Sequence, residues 1–193
     1  MGDPRSDDAR TTELALAAGA GDRIALAAFV YATQRDVYRF VCHFCEPDQA
    51  EDLTRDTYLH ALRALPRFAG RSSARTWLLS IARRVAADQT RRTMARPRTT
   101  RVEDWDTALP GRPPPRRSGV DDGILLRELV ARLEPGRRDA FVLTQVLGLD
   151  YAAAGEVCGC PAGTIRSRVA RAREDLIRAM NAAELPGHHA AHP

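Results

Sequence analysis

The chain contains no lysine: its 29 basic residues are all arginine, set against 25 carboxylates for a net charge of +4. So complete an absence points first to a coding bias, although arginine also suits bidentate contacts to phosphates and base edges. The N-terminus lacks the positive start and apolar run of a secretion signal. No stretch has the length of a membrane span, so a cytoplasmic protein with no membrane contact is expected. Cysteine is scarce, and Cys42, Cys45, Cys158 and Cys160 are read as reduced thiols. A C-x-x-C pair inside an apolar helical pattern and a separate C-x-C pair suit tetrahedral zinc poorly, so no metal is expected. A glycine-rich phosphate loop, G-x-S-x-G, H-E-x-x-H and any convincing cluster of histidine with carboxylates are also missing. Neither catalysis nor a cofactor is expected, and His43 and His60 read as structural residues. No segment has convincing strand character.

What is present is helical periodicity. Hydrophobic content of 44% and charged content of 28% are those of a soluble globular chain, long enough for one domain or two small ones. Residues 1–11 are polar and are expected to be disordered. From Thr12, apolar residues recur at helical spacing through Leu14, Leu16, Ile24, Leu26, Phe29, Val30, Val37, Phe40 and Val41, with Asp22 placed to cap a helix. A helix from Pro47–Asp48 to about Leu65 follows, then a Pro/Gly/Ser loop, then a long helix from Ala74 to about Thr93. Residues 96–120 are rich in proline and read as a flexible linker carrying a small acidic patch, Glu103, Asp104 and Asp106 around Trp105. A second helical block covers 121–180, and 181–193 reads as a flexible, histidine-bearing tail. The expected fold is all-α: helical blocks at 12–95 and 121–180.

Three segments carry charge in a useful pattern. Asp150 to Val157 is a short helical stretch, followed by a Cys-Gly-Cys-Pro turn and an arginine-studded helix from Ala162. At 100° per residue Ile165, Val169, Ala172 and Leu176 form one apolar stripe, while Ser167, Ala170, Arg171 and Glu174 face away and Arg166 flanks them. Helix, tight turn and arginine-bearing helix is the form of a DNA-binding helix-turn-helix. On the long helix, Ser80, Arg83, Arg84, Thr90 and Arg91 are placed opposite the core, as a phosphate backbone requires. The preceding loop from Phe68 to Arg75 offers an aromatic ring and arginines for an unstacked base. On the helix from Pro47, Asp52, Leu53 and Asp56 are placed away from an apolar side of Thr54, Tyr58, Ala61, Leu62 and Leu65. An exposed leucine among carboxylates is a protein-docking pattern.

Taken together, these segments resemble bacterial RNA polymerase sigma factors, and most closely the two-domain extracytoplasmic-function (ECF) class in its actinobacterial form. Glu51-Asp52-Leu53-Thr54-Arg55-Asp56-Thr57-Tyr58 resembles the family's core-polymerase-binding motif. The run from Phe68 to Arg83 resembles its −10 recognition segment, and Tyr151 to Glu174 its −35-reading helix-turn-helix. The resemblance implies that 12–95 is region 2 and 121–180 is region 4. Asp52, Leu53, Arg55 and Asp56 would dock on the clamp helices of the polymerase largest subunit. Arg67, Phe68, Arg71, Ser72, Ser73, Arg75, Arg83, Arg84 and Arg91 would hold the single-stranded −10 element. Thr164, Arg166, Ser167, Ala170 and Arg171 would read duplex −35 DNA. It also implies that an anti-sigma factor is a potential partner occluding both domains.

The function expected is therefore promoter specificity: binding core polymerase, recognising both promoter elements and promoting melting. The alternative is a stand-alone helix-turn-helix regulator whose first block senses or dimerises, recognised by tight operator binding without polymerase. A protein-only adaptor is disfavoured by two separate arginine faces.

Overall fold

The computed structural model describes residues 4–45, 47–95 and 120–183, and every regular element among them is helical. The proline-rich stretch 96–119, its acidic patch and the histidines beyond residue 183 lie outside the described residues.

The first helix, α1 (Pro4–Gly19), corrects the expectation of a disordered start. Polar composition is overridden here by tertiary packing. Ala15 is fully buried, and the Thr12 hydroxyl accepts from the Ala74 amide at 3.0 Å, tying α1 to the head of a distant helix. Helix α1 ends where Gly19 passes the chain after the third helix; a Cβ there would lie 2.7 Å from the Leu65 carbonyl oxygen, so only glycine fits. Helix α2 (Arg23–Val41) begins at the expected cap, with Asp22 accepting from the Ile24 and Ala25 amides, which satisfies two otherwise orphaned donors. It buries Phe29, Val37 and Phe40. Helix α3 (Pro47–Ala64) runs back along it. A 3₁₀ turn, Leu65–Arg67, and a short loop then lead into α4 (Ala74–Ala95).

The second block contains α5 (Val120–Ala131) and α6 (Pro135–Phe141), the latter capped by Glu134 through the Gly136 and Arg137 amides. A π-helical turn, Val142–Val146, carries the chain to α7 (Tyr151–Cys158) and α8 (Ala162–Ala183). The expected apolar stripe of α8 is the buried one: Ile165, Val169, Ala172 and Leu176 are each no more than 6% exposed.

The two blocks are packed together. Helix α4 lies against α7, and the buried side chains of both blocks join in one continuous core.

Candidate nucleic-acid interface

The helix-turn-helix is built from local rules. Asp150 caps α7 through the Ala153 amide at 2.8 Å. Gly159 ends it in the left-handed region at φ 66°, where glycine carries no Cβ penalty. The turn then folds tightly over α7: the Cys160 amide donates to the Gly155 carbonyl, and a Cβ at Gly155 would sit 2.6 Å from the Cys160 carbonyl oxygen. Beyond it, Arg166, Ser167, Ala170 and Arg171 are all exposed on α8. Arg166 leans over the Tyr151 ring at 5.7 Å. Thr164 is half-buried, and its carbonyl accepts from the Ser167 hydroxyl at 2.9 Å. The flanking arginines are differently engaged: Arg168 donates to the Cys160 sulfur and Arg173 to Gln145 at 2.7 Å.

The arginines of the first block divide. Arg67, Arg71, Arg84 and Arg91 are exposed, with Arg84 donating to the Ser80 carbonyl and Arg91 paired with Asp88. Beside them a groove of ≈350 Å³ runs between α3 and α4, with Trp77, Arg84, Asp88 and His60 in its walls. Phe68 is half-buried with its ring 4.8 Å from that of Trp77. Ser72 is half-buried; Ser73 accepts from the Thr76 amide and donates to the Thr76 hydroxyl, so it serves the start of α4.

Arg75 and Arg83 instead point into the seam between the blocks. Arg75 binds Asp36 through Nε at 2.6 Å and the Leu147 carbonyl through Nη2 at 2.7 Å. Arg83 donates from Nε to Asp139 of α6 at 2.6 Å. The placement of Arg83 and Thr90 with Arg84 and Arg91 on one outward face is thus corrected. At 100° per residue Arg83 lies about 100° from Arg84 and about 80° from Arg91, on the flank that meets the second block. Burial pushes the Asp139 carboxyl above its ordinary value, only partly offset by Arg83. For Arg83, burial disfavours the charge, but the hydrogen bond and attraction of Asp139 outweigh it, and its pKa is raised. Arg39 of α2 adds a bond to the Val146 carbonyl at 3.1 Å, and Arg138 lies 4.6 Å above the Phe44 ring. His43, beside them, is held down to about 4 by burial and by Arg127, Arg138 and Arg39. Cys158 is pushed up to about 12 by burial and stays a neutral thiol. Among the described residues no group of histidine, cysteine and carboxylates is arranged to hold a metal, and no helix is long and apolar enough to cross a membrane.

On α3, Asp52, Arg55 and Asp56 are exposed, with Arg55 donating to Asp52 at 2.9 Å. Leu53 is not: it is 5% exposed and belongs to the core, which corrects its placement as an exposed anchor. The buried stripe is Ala50, Leu53, Thr57, Ala61 and Leu65, rotated from the one expected, and Leu62 is turned outward. Ala50 and Thr57 are small enough for close helix packing, a property that hydrophobic ranking undervalues. Asp139 and Asp36 were absent from the sequence-derived site. The available signal was Asp139 four residues before the fully buried Leu143, a carboxylate at a core-facing position.

Residues 29–96 match the family described as Sigma-70 region 2, and residues 124–176 match Sigma-70, region 4. The chain is 50% identical over 182 residues to the ECF RNA polymerase sigma factor SigC of Mycobacterium tuberculosis, covering 94% of this chain and 97% of that one. It is 30% identical to the RNA polymerase sigma-H factor of Pseudomonas aeruginosa, covering 83% and 88%. Among solved structures, CnrH in complex with the cytosolic domain of CnrY shares the fold at a TM-score of 0.71 and 22% identity, covering 90% and 98%. The sigma factor RpoE of Bartonella quintana, solved with the anti-sigma factor NepR, shares it at 0.65 and 24% identity, covering 81% and 96%.

Proposed function

Because the chain belongs to the ECF family of RNA polymerase sigma factors, whose members join core polymerase and direct it to promoters, we propose a division of that work among its residues. In region 4, Arg166, Ser167, Ala170 and Arg171 enter the major groove of the −35 element, with Thr164 at the phosphate margin. The observation that carries this assignment is their joint exposure on α8, while the opposite stripe of the same helix is buried. In region 2, the loop around Phe68, with Arg67, Arg71, Ser72 and Ser73, takes an unstacked −10 base, and Arg84 and Arg91 hold the strand. Capturing bases on the exposed strand offsets the few kcal/mol each costs to unstack. Asp52, Arg55 and Asp56 meet the clamp helices of the polymerase largest subunit.

Arg75 and Arg83 have a double role in this reading. With Arg83 on Asp139 and Arg75 on Asp36 and Leu147, neither is available to a phosphate; separation of the two regions frees Arg83 and releases Arg75 from Leu147, while Asp36, on α2 of the same region, exchanges Arg75 only as the strand arrives. A factor free of polymerase is accordingly a weak −10 binder. An anti-sigma partner, such as the NepR bound to the sigma factor RpoE of Bartonella quintana, would act on this chain by holding the regions away from DNA. The protein works in the cytoplasm with the transcription machinery and catalyses no reaction of its own.

Run-off transcription tests the assignment. Purified core polymerase with this chain is expected to start at defined sites on genomic fragments, and R166A/R171A is expected to lose initiation at promoters dependent on the −35 element. Specific, tight DNA binding in the absence of core, with no effect on initiation, would replace this function with that of a free-standing regulator.

A further inference from the structure

We propose that Arg39, Arg127 and Arg138, gathered around His43 from α2, α5 and α6, form a binding site for an oligophosphate group. The site shares no residue with the surfaces assigned to DNA or to core polymerase.

Its parts are brought together by the packing of the two blocks. Arg39 stands on the last turn of α2, and His43 follows just beyond the helix end. Arg127 of α5 and Arg138 of α6 approach from region 4. His43 is kept neutral by burial and by the charges of Arg127, Arg138 and Arg39. Arg138 stacks over the Phe44 ring at 4.6 Å, and Phe44 lies against Phe40 with ring centroids 4.7 Å apart, so the guanidinium rests on an aromatic floor. His43, Arg127 and Arg138 are half-buried and Arg39 is exposed, so a ligand reaches the cluster from the Arg39 side.

Three cations are thus held together without an anion. Among the described residues none of them forms an ion pair, whereas Arg75, Arg83 and Arg137 each have a carboxylate. The neighbouring acids are committed elsewhere. Asp139 holds Arg83, Glu134 caps α6, and Glu128 lines the groove between α5 and α8. Glu51 is close enough to act on Tyr38, as Arg127 is, but pairs with none of the three. The arginines bond only to carbonyls, Arg39 to Val146 and Arg138 to Ala131, each at 3.1 Å. A guanidinium has five donors, so most of each fork is left over.

A second observation falls on the same place. Among the described residues, His43 Nδ1 and Arg138 Nε are buried without a hydrogen-bond partner. Such atoms are rare and costly, and here both belong to one cluster of like charge. What the cluster lacks is an acceptor-rich anion. Phosphate oxygens match planar guanidinium forks bidentately, and a chain of two or three phosphates carries enough charge to offset three cations in a compact form. Because Arg39 belongs to region 2 and the other two to region 4, an occupied site removes their mutual repulsion and ties the regions together.

Isothermal titration of the full chain with sodium tripolyphosphate at constant ionic strength tests the site, with the His43 imidazole followed by NMR. One-to-one binding is expected, with the His43 pKa rising from about 4 toward its ordinary 6.5 as the ligand binds. Arg127→Gln is expected to weaken binding about ten-fold or more, and Arg39→Gln, at an exposed position, by several-fold. Arg63→Gln, the same charge change on an exposed part of α3, should stay within about two-fold of wild type. R166A/R171A should bind tripolyphosphate as wild type does. ATP in place of tripolyphosphate separates the two sources of the group: equal affinity supports a site for the phosphate chain alone, and tighter binding that Arg127→Gln abolishes supports the same chain carried on a nucleotide. Failure of both ligands to bind overturns the inference, as does wild-type affinity in both Arg127→Gln and Arg39→Gln, or a His43 pKa that does not move. Loss of binding in R166A/R171A alone also overturns it, by moving the ligand to the α8 face. Tighter binding of a random single-stranded oligonucleotide, lost in Arg127→Gln, would make the cluster a nucleic-acid contact instead.

Discussion

Arg83 of α4 and Asp139 of α6 are joined at 2.6 Å by a single N–H···O bond, with the Asp139 side chain 8% exposed. The cation proposed to hold the −10 strand is thereby occupied by a carboxylate of region 4. A buried carboxylate against a guanidinium reproduces what a phosphate would offer, so the intramolecular contact and the proposed DNA contact would compete for one group.

Removing the carboxylate is expected to shift that competition. Asp139→Ala should raise the affinity of the free chain for single-stranded −10 oligonucleotide by about ten-fold, a coupling of ordinary size for two exclusive contacts. Asp139→Ala combined with Arg83→Ala should show no such gain. Fluorescence anisotropy with a labelled strand decides it, and unchanged affinity in the single variant would show that the seam does not limit −10 binding.

His43 makes the folded chain acid-sensitive. Its pKa falls from 6.5 to about 4 in the fold, so the native state binds fewer protons than the unfolded state between those values. Its contribution is fully present above pH 6.5 and is lost as pH falls toward 4, amounting to on the order of 1–2 kcal/mol near pH 5. The raised carboxyl of Asp139 acts in the opposite sense, in the range just above 3.8. His43→Leu is therefore expected to flatten the fall in melting temperature between pH 7 and pH 5, as read by circular dichroism.

Leu53 and Asp56 separate stability from docking. Leu53→Ala should cost about 2–4 kcal/mol of stability, as buried leucines do. Asp56→Ala should leave stability unchanged and weaken core binding. Urea unfolding and core binding measured on the same two proteins give the outcome; a stable Leu53→Ala variant would contradict its placement in the core.

Gly155→Ala is expected to damage the −35 reader, because the new Cβ would lie 2.6 Å from the Cys160 carbonyl oxygen. A loss of about 2 kcal/mol and a fall in duplex binding are expected. Gly163→Ala is the control, since nothing stands within 4 Å of a Cβ there.

Much of this was legible in the sequence because it depends on local rules. Helical spacing marked the buried stripe of α8, and Asp22 marked the start of α2 through a short-range cap. The Cys-Gly-Cys-Pro turn marked the helix-turn-helix, whose exposed face follows once the stripe is known.

What the sequence determined by itself was the set of helices and the exposed α8 face, both consequences of interactions within a few residues. Tertiary structure decided the rest. It ordered residues 4–11 by giving α1 a partner in α2 and a tether at Ala74. It turned α3 so that Leu53 is buried, because small residues gain their packing only from the helix that meets them. It also directed Arg83 to Asp139, 56 residues away. An ion pair across such a separation depends on how whole helices pack, and that packing leaves no periodic trace in the chain.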